Sequence, residues 1–227
     1  MNEAVIGAEH QFHDRDYALA WGERFSPTAQ RLELFELVLG ELRRTVPADG
    51  RVVELGIGPG YLAQHVLQAM PTISYCGIDF STPMLEIART RLHRHASRIT
   101  YLQADLVRDD WQDIVDGPVD AVISTWSLHD LGSQQNVQTV YAKSASALRG
   151  RGILLNGDFI RPDGATQVFE AGRFEVDRHL ELMRQTGFKH AKCLALLEHD
   201  IESPTSAKNY ACLKALRRMN PLRTPSG

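Results

Sequence analysis

The segment VVELGIGPGYLAQHVL, Val52 to Leu67, is an apolar run that meets an acid, passes over three glycines and then changes period. Beyond the glycines, Ala63, Val66, Leu67 and Met70 fall at i, i+3, i+4 and i+7, one stripe of an amphipathic helix. The pattern predicts strand, glycine turn, helix. Strand-like and helical stretches then alternate through SYCGID, PMLEIARTRLHRH, ITYLQAD, VDAVIST, QNVQTVYAKSASAL and GILLNGDFI. That alternation predicts βαβ units and a parallel sheet, and the continuously apolar strands predict helices on both faces. Thr82 followed by Pro83 reads as the N-cap and first turn of the second helix. Ahead of the first strand, Phe35, Val38, Leu39 and Leu42 repeat the helical spacing. After Ile160 come a polar connection, RPDGATQVFEAGRFEVD, a helix, RHLELMRQTGF, ended by Gly187, and two strand-like segments, AKCLALLEHD and AKNYACLKAL. The last two are expected to pair as an antiparallel hairpin at the sheet edge. The result is a doubly wound α/β sheet of seven strands, mainly parallel with the last reversed: a helical cap over residues 1–45 and one domain over 46–220.

Composition adds bounds. The 227 residues, 43% hydrophobic and 23% charged, carry no low-complexity linker, as expected of one soluble domain. No apolar run approaches the roughly 20 residues of a membrane span, and the polar amino terminus does not resemble a signal peptide. The formal charge of -3 argues against a nucleic-acid partner. Lys214, Arg217, Arg218 and Arg223 read as a solvated basic tail. Cys76, Cys193 and Cys212, odd in number and each in an apolar run, read as buried reduced thiols of a cytoplasmic protein.

In such a sheet, ligands bind beyond the carboxyl ends of the strands. Those ends carry Glu54 with Gly56, Gly58 and Gly60, then Asp79, Asp105, the stretch STWSLHD from Ser124 to Asp130, and Asn156 with Asp158. A glycine turn of this kind serves either as the floor under a ligand or as close packing of helix on strand. Asp79 is placed to accept hydrogen bonds from vicinal ribose hydroxyls, or to cap the helix before Thr82. Asp105 is placed to receive an exocyclic amine, or to close a surface turn.

VVELGIGPG, GIDFSTPMLEIAR, ITYLQADL and VDAVISTWSLHDL, in this order and spacing, resemble the class I S-adenosylmethionine-dependent methyltransferases, whose fold is Rossmann-like. The resemblance implies that S-adenosylmethionine is the cofactor and S-adenosylhomocysteine the product. It implies that Gly56, Gly58 and Gly60 lie under the methionine part and that Glu54 reaches its amine. Asp79 would hold the ribose, Phe80 and Met84 would stand beside the adenine, Asp105 and Leu106 would contact its edge, and Ser124 or Thr125 would offer the carbonyl that receives the amine.

Methyl transfer is an in-line displacement that needs alignment and dryness, with a base where the acceptor must lose a proton. His129 is the candidate base, against the alternative that it packs or caps its loop. STWS stands where relatives that bind planar amines carry Asn/Asp-Pro-Pro-Tyr, and the acids do not fit a metal site, so the expected acceptor is a small organic molecule and no metal is expected. Tyr17, Trp21, Trp126, Phe169 and Phe174 are expected to line its pocket, the amino-terminal segment acting as a lid. No membrane or nucleic-acid partner is expected, and the chain is read as a monomer or homodimer. Two other classes remain open: a nicotinamide-dependent oxidoreductase, although its fingerprint places the third glycine one residue later, and a non-catalytic binder of the same cofactor.

Overall fold

The computed structural model describes residues 10–115, 117–201 and 208–218. Two helices come first: α1, Arg15–Arg24, capped by Asp14, whose carboxylate accepts from the Tyr17 N–H at 2.7 Å, and α2, Ala29–Thr45, capped by Thr28. There follow β1 (Arg51–Leu55), α3 (Tyr61–Ala69), β2 (Ser74–Asp79), α4 (Thr82–Arg91), β3 (Ile99–Gln103), the one-turn α5 (Trp111–Ile114) and β4 (Val119–Thr125). The chain closes with α6 (Gln134–Ala147), β5 (Leu148–Phe159), α7 (Val176–Gln185), β6 (Phe188–Leu197) and β7 (Tyr210–Arg217).

The seven strands form one sheet in the order β3-β2-β1-β4-β5-β7-β6, with β7 antiparallel to both of its neighbours and the other pairs parallel. Strand residues alternate between two cores, as period 2 requires. Val53, Leu55, Val122 and Leu154 pack with Trp111, Tyr141 and Met183 of α5 to α7 on one face. Val52, Ile123, Leu155 and Cys212 pack with Leu34, Val38, Leu62 and Val66 of α2 and α3 on the other. Glu54 lies two residues after Val52 and therefore points to the α2/α3 face, where it is buried. Strand order reverses between β1 and β4, which places the crevice for a ligand above these two strands.

The architecture follows the pattern in the sequence, with local corrections. The cap of α4 is Ser81, whose hydroxyl accepts from the Met84 N–H at 3.2 Å, so Thr82 is the first helical residue and Pro83 the second. Strand β5 starts directly after α6 at Leu148, earlier than GILLNGDFI suggests, and absorbs the extra residues in an irregularity of register opposite Val119 and Ala121. The basic residues near the end are not a solvated tail. Lys214 is largely buried in an ion pair with Glu41 that ties β7 to α2, while Arg217 and Arg218 donate to the carbonyls of Gly187 and Phe188. Arg223 lies outside the described residues. Cys212 is buried, Cys76 and Cys193 are half-buried, and all three are free thiols. Among the described residues no helix is long and apolar enough to cross a membrane.

Candidate active site

The glycine turn between β1 and α3 is shaped by contacts that exclude side chains. Gly56 has φ +68°, and a Cβ there would stand 2.1 Å from the Ser127 hydroxyl on the loop after β4. Gly58, at φ +49°, turns its missing side chain toward open space, the mark of a surface kept clear for something that approaches the backbone. Gly60 has a different job. It caps α3 in the left-handed region and packs against Ala88 and Leu92 of the neighbouring helix region, away from the crevice.

Two clefts meet over this floor. One is lined by Asp79, Phe80, Met84, Ala104, Asp105 and Leu106 from the β2 and β3 ends, with Asp130 and Leu131 also bordering it. The other is lined by Glu54, Thr125, Arg31, Phe25, Phe35 and Tyr61. Gly56, Gly58, Trp21 and Trp126 border both, so the two form one bent site.

Asp79 is fixed by the backbone: its Oδ2 accepts from the Gly58 N–H at 2.9 Å and its Oδ1 from the Ser81 N–H at 3.0 Å. Burial nevertheless pushes its pKa up to about 6, the two backbone bonds offsetting only part of the desolvation. Glu54 accepts a 2.7 Å hydrogen bond from the Tyr75 hydroxyl at the base of the second cleft. Burial raises it to about 8, with the nearby Asp79 charge adding to the rise and the Tyr75 bond opposing it. Two carboxyls that resist ionisation thus sit beneath one site, a setting that favours a ligand bringing positive charge.

Asp105 lines the first cleft while its Oδ1 accepts from the Val107 and Arg108 N–H groups, so it closes a turn as well as bordering the ligand space. Thr125 lines the second cleft; Ser124 is fully buried and its hydroxyl donates to the Leu55 carbonyl at 3.0 Å, joining β4 to β1.

The amino-terminal segment lies across the opening. The Phe12 carbonyl receives the Ser81 hydroxyl, the rings of Phe12 and His13 stand 6.4 and 5.2 Å from Phe80, and Trp21 stacks on Phe25 at 4.3 Å and 11°. Arg15 pairs with Glu86 of α4 at 3.1 Å, and the Tyr61 hydroxyl donates to the Gly22 carbonyl, so α1 is latched to both sides of the crevice. Of the expected lining rings, Trp21 and Trp126 border the clefts. Tyr17 stands behind Phe12 at 5.6 Å, outside both. Phe174 is turned into the core, stacked on His179 at 3.8 Å, and Phe169 borders a separate surface hollow with Gln134 and Arg161. Periodicity is silent about these rings because their segment is irregular.

His129 sits in a short 3-10 turn after β4, almost fully buried. Asp158, at the end of β5, grips it twice: Oδ2 accepts from its backbone N–H at 2.9 Å, and Oδ1 lies 2.7 Å from Nδ1. Nε2 lies 3.2 Å from Oδ1 of Asp130, the residue that reaches the first cleft. Burial alone would lower the imidazole pKa, but Asp158 and Asp130 outweigh it and the net shift is upward. The pairing of Asp158 with His129, the Tyr75 bond to Glu54, and the entry of Phe12 and Arg31 into the site are absent from the sequence reading. The first was accessible, since Asp158 stands at a strand end.

Residues 52–152 match the family described as methyltransferase domain. A malonyl-[acyl-carrier protein] O-methyltransferase of Bacillus cytotoxicus is 31% identical over 122 residues, 52% of this chain and 39% of that protein. Polyketide synthase 19 of Gibberella fujikuroi is 34% identical over 201 residues, 78% of this chain and 8% of that protein. Among solved structures, an O-methyltransferase family protein from Burkholderia thailandensis superposes with a TM-score of 0.68 at 19% identity, covering 93% of this chain and 63% of that one. The stretch from β1 into β5 is thus similar to a methyltransferase domain, and the chain shares the fold of the O-methyltransferase family protein. The matched stretches span well under half the length of these curated relatives.

Proposed function

We propose that this chain transfers a methyl group from S-adenosylmethionine to a small organic acceptor that gives up a proton, with His129 as the base. The observation that carries the reading is the His129 ring, held by Asp158 at 2.7 Å on one nitrogen and turned on the other toward Asp130 at the cleft wall. An imidazole with a carboxylate facing each nitrogen is fixed in orientation and has a partner for the proton it takes up, which fits proton transfer better than loop packing.

The residues present fit the cofactor. Bound S-adenosylmethionine supplies an electrophilic methyl group on a cationic sulfur. Asp79, with one lone pair of each oxygen committed to the backbone, keeps the others for ribose hydroxyls. Phe80 and Met84 would offer faces for the adenine, Asp105 and Leu106 would meet its edge, and Glu54 with the Thr125 carbonyl would receive the ammonium group. Gly58 lets the chain come close. The aromatic layer of Phe12, Trp21 and Phe25 keeps water from the reacting centre, where most of the rate comes from alignment. A proton leaving the acceptor passes by the Asp130 carboxyl to Nε2, while Asp158 holds the Nδ1–H and stabilises the imidazolium that forms. An oxygen or carbon acceptor suits a base of this strength, and the O-methyltransferase relative is in keeping with it.

Thermal shift and calorimetry with S-adenosylmethionine, S-adenosylhomocysteine and NAD test the cofactor. Ligand at about 100 times its dissociation constant adds roughly 2.7 kcal/mol. Stabilisation by the first two and not by NAD is the expected result; stabilisation by NAD alone would overturn the reading.

A further inference from the structure

The second cleft carries more than its acid. We infer that Arg31 is the anchor for the α-carboxylate of the cofactor's amino-acid end, opposite the Glu54 that takes its ammonium; this rests on the reading above. Arg31 stands in the first turn of α2, its N–H donating to the Thr28 hydroxyl at 3.3 Å, and it lines the same cavity as Glu54, Gly56, Gly58 and Thr125. Its guanidinium lies 3.6 Å from the centroid of Phe25 and 5.5 Å from that of Trp126. Among the described residues it pairs with no carboxylate and donates to no carbonyl. Tyr210 and the exposed Glu198 act on it only through their fields.

A partly buried guanidinium with two ring faces against it and its N–H groups uncommitted is a donor set awaiting an anion. Trp126 lines the same cavity, and its buried indole N–H has no partner. Trp126 also holds φ +48°, a conformation uncommon for a bulky residue and of the kind that clusters at functional sites. An acid, an uncommitted cation and a glycine floor that line one cavity are the complement of a zwitterionic amino acid. The competing explanation is that Arg31 only covers Phe25 and Trp126.

The two are separated by S-adenosylhomocysteine and 5′-methylthioadenosine, which share adenine, ribose and a thioether but differ in the amino-acid end. Calorimetry on the wild-type chain, Arg31→Gln and Arg31→Lys reads the difference. Arg31→Gln is expected to weaken S-adenosylhomocysteine at least about tenfold and to leave 5′-methylthioadenosine within about twofold, with Arg31→Lys between wild type and Arg31→Gln. Equal loss for both ligands, or no loss for either, would overturn the assignment. Circular dichroism establishes that each variant is folded, and Arg31→Lys carries the test should Arg31→Gln not be. A wild-type chain that binds neither nucleoside would remove the methyltransferase reading itself, and the anchor with it.

Discussion

Replacing Glu54 with glutamine should make the cofactor-free protein more stable at neutral pH while spoiling its site. The side chain keeps its shape, and the amide oxygen still accepts the Tyr75 hydroxyl that lies 2.7 Å from Oε2 of the glutamate. What disappears is a carboxyl that burial has raised from 4.5 to about 8. A carboxyl raised on folding holds its proton more tightly in the folded chain. Stability is therefore lost as pH climbs from the unfolded value near 4.5 to the folded value near 8, and the loss is complete above it. At about 1.4 kcal/mol per pH unit, about 3 kcal/mol has gone by pH 7 and about 5 kcal/mol above pH 8. For a chain of this size, 3 kcal/mol corresponds to a rise in Tm of roughly 6 to 12 °C for Glu54→Gln at pH 7, with the two proteins converging near pH 4. Asp79, raised to about 6, adds a loss of the same steepness over the shorter window of roughly pH 4 to 6 in both proteins. Thermal unfolding from pH 4 to 9, on protein stripped of copurified nucleoside, gives both curves. S-adenosylhomocysteine affinity in the variant should fall about tenfold or more, since the charge that receives the ammonium is gone. A variant whose stability runs parallel to the wild type across this range would refute the argument that Glu54 is a buried, strained acid.

Two further outcomes are expected. Asp158→Asn should cut turnover about a hundredfold or more and move the acidic limb of the pH-rate profile to lower pH, because burial lowers the His129 pKa and Asp158 is the main group that raises it; an unmoved profile would remove Asp158 from the proton path. Hydrogen exchange across residues 10–25 should slow when S-adenosylhomocysteine is added, since the segment meets the crevice through Phe12 and Trp21; protection already complete without ligand would make it fixed structure rather than a lid.

Much of this molecule can be read from period and punctuation. The β1–α3 turn announces itself because glycine density and a switch from continuous to helical spacing coincide there, and the strand-end acids Glu54, Asp79 and Asp105 all border the crevice. Harder to read is anything that depends on which side of a loop faces inward. Ser124 and Thr125 are equivalent in the sequence, yet strand alternation buries one under β1 and leaves the other at the cleft. Phe174 looks like a pocket ring and packs on His179 instead, because its segment has no period from which a face can be inferred. The third glycine satisfies the same motif as the first two but serves helix packing. Long-range pairs are harder for the same reason: Tyr75 and Glu54 are neighbours only once the register of β1 and β2 is known, whereas Asp158 and His129 at least both follow strand ends.

The position of β7 gives the protein a particular order of assembly. It is the last strand in the described chain, yet it lies between β5 and β6, and residue by residue it pairs Ala211 with Asp158 and Tyr210 with Phe159. While the chain is being synthesised, the five strands up to Phe159 can associate, but the outer side of β5 stays an uncovered edge until Tyr210–Arg217 has emerged and inserted. The carboxylate that holds His129 sits on that edge. The seating of His129 is thus among the last features the nascent chain acquires, and a product cut short before Tyr210 would keep the glycine turn and Asp79 while leaving the Asp158–His129 pair on an open edge.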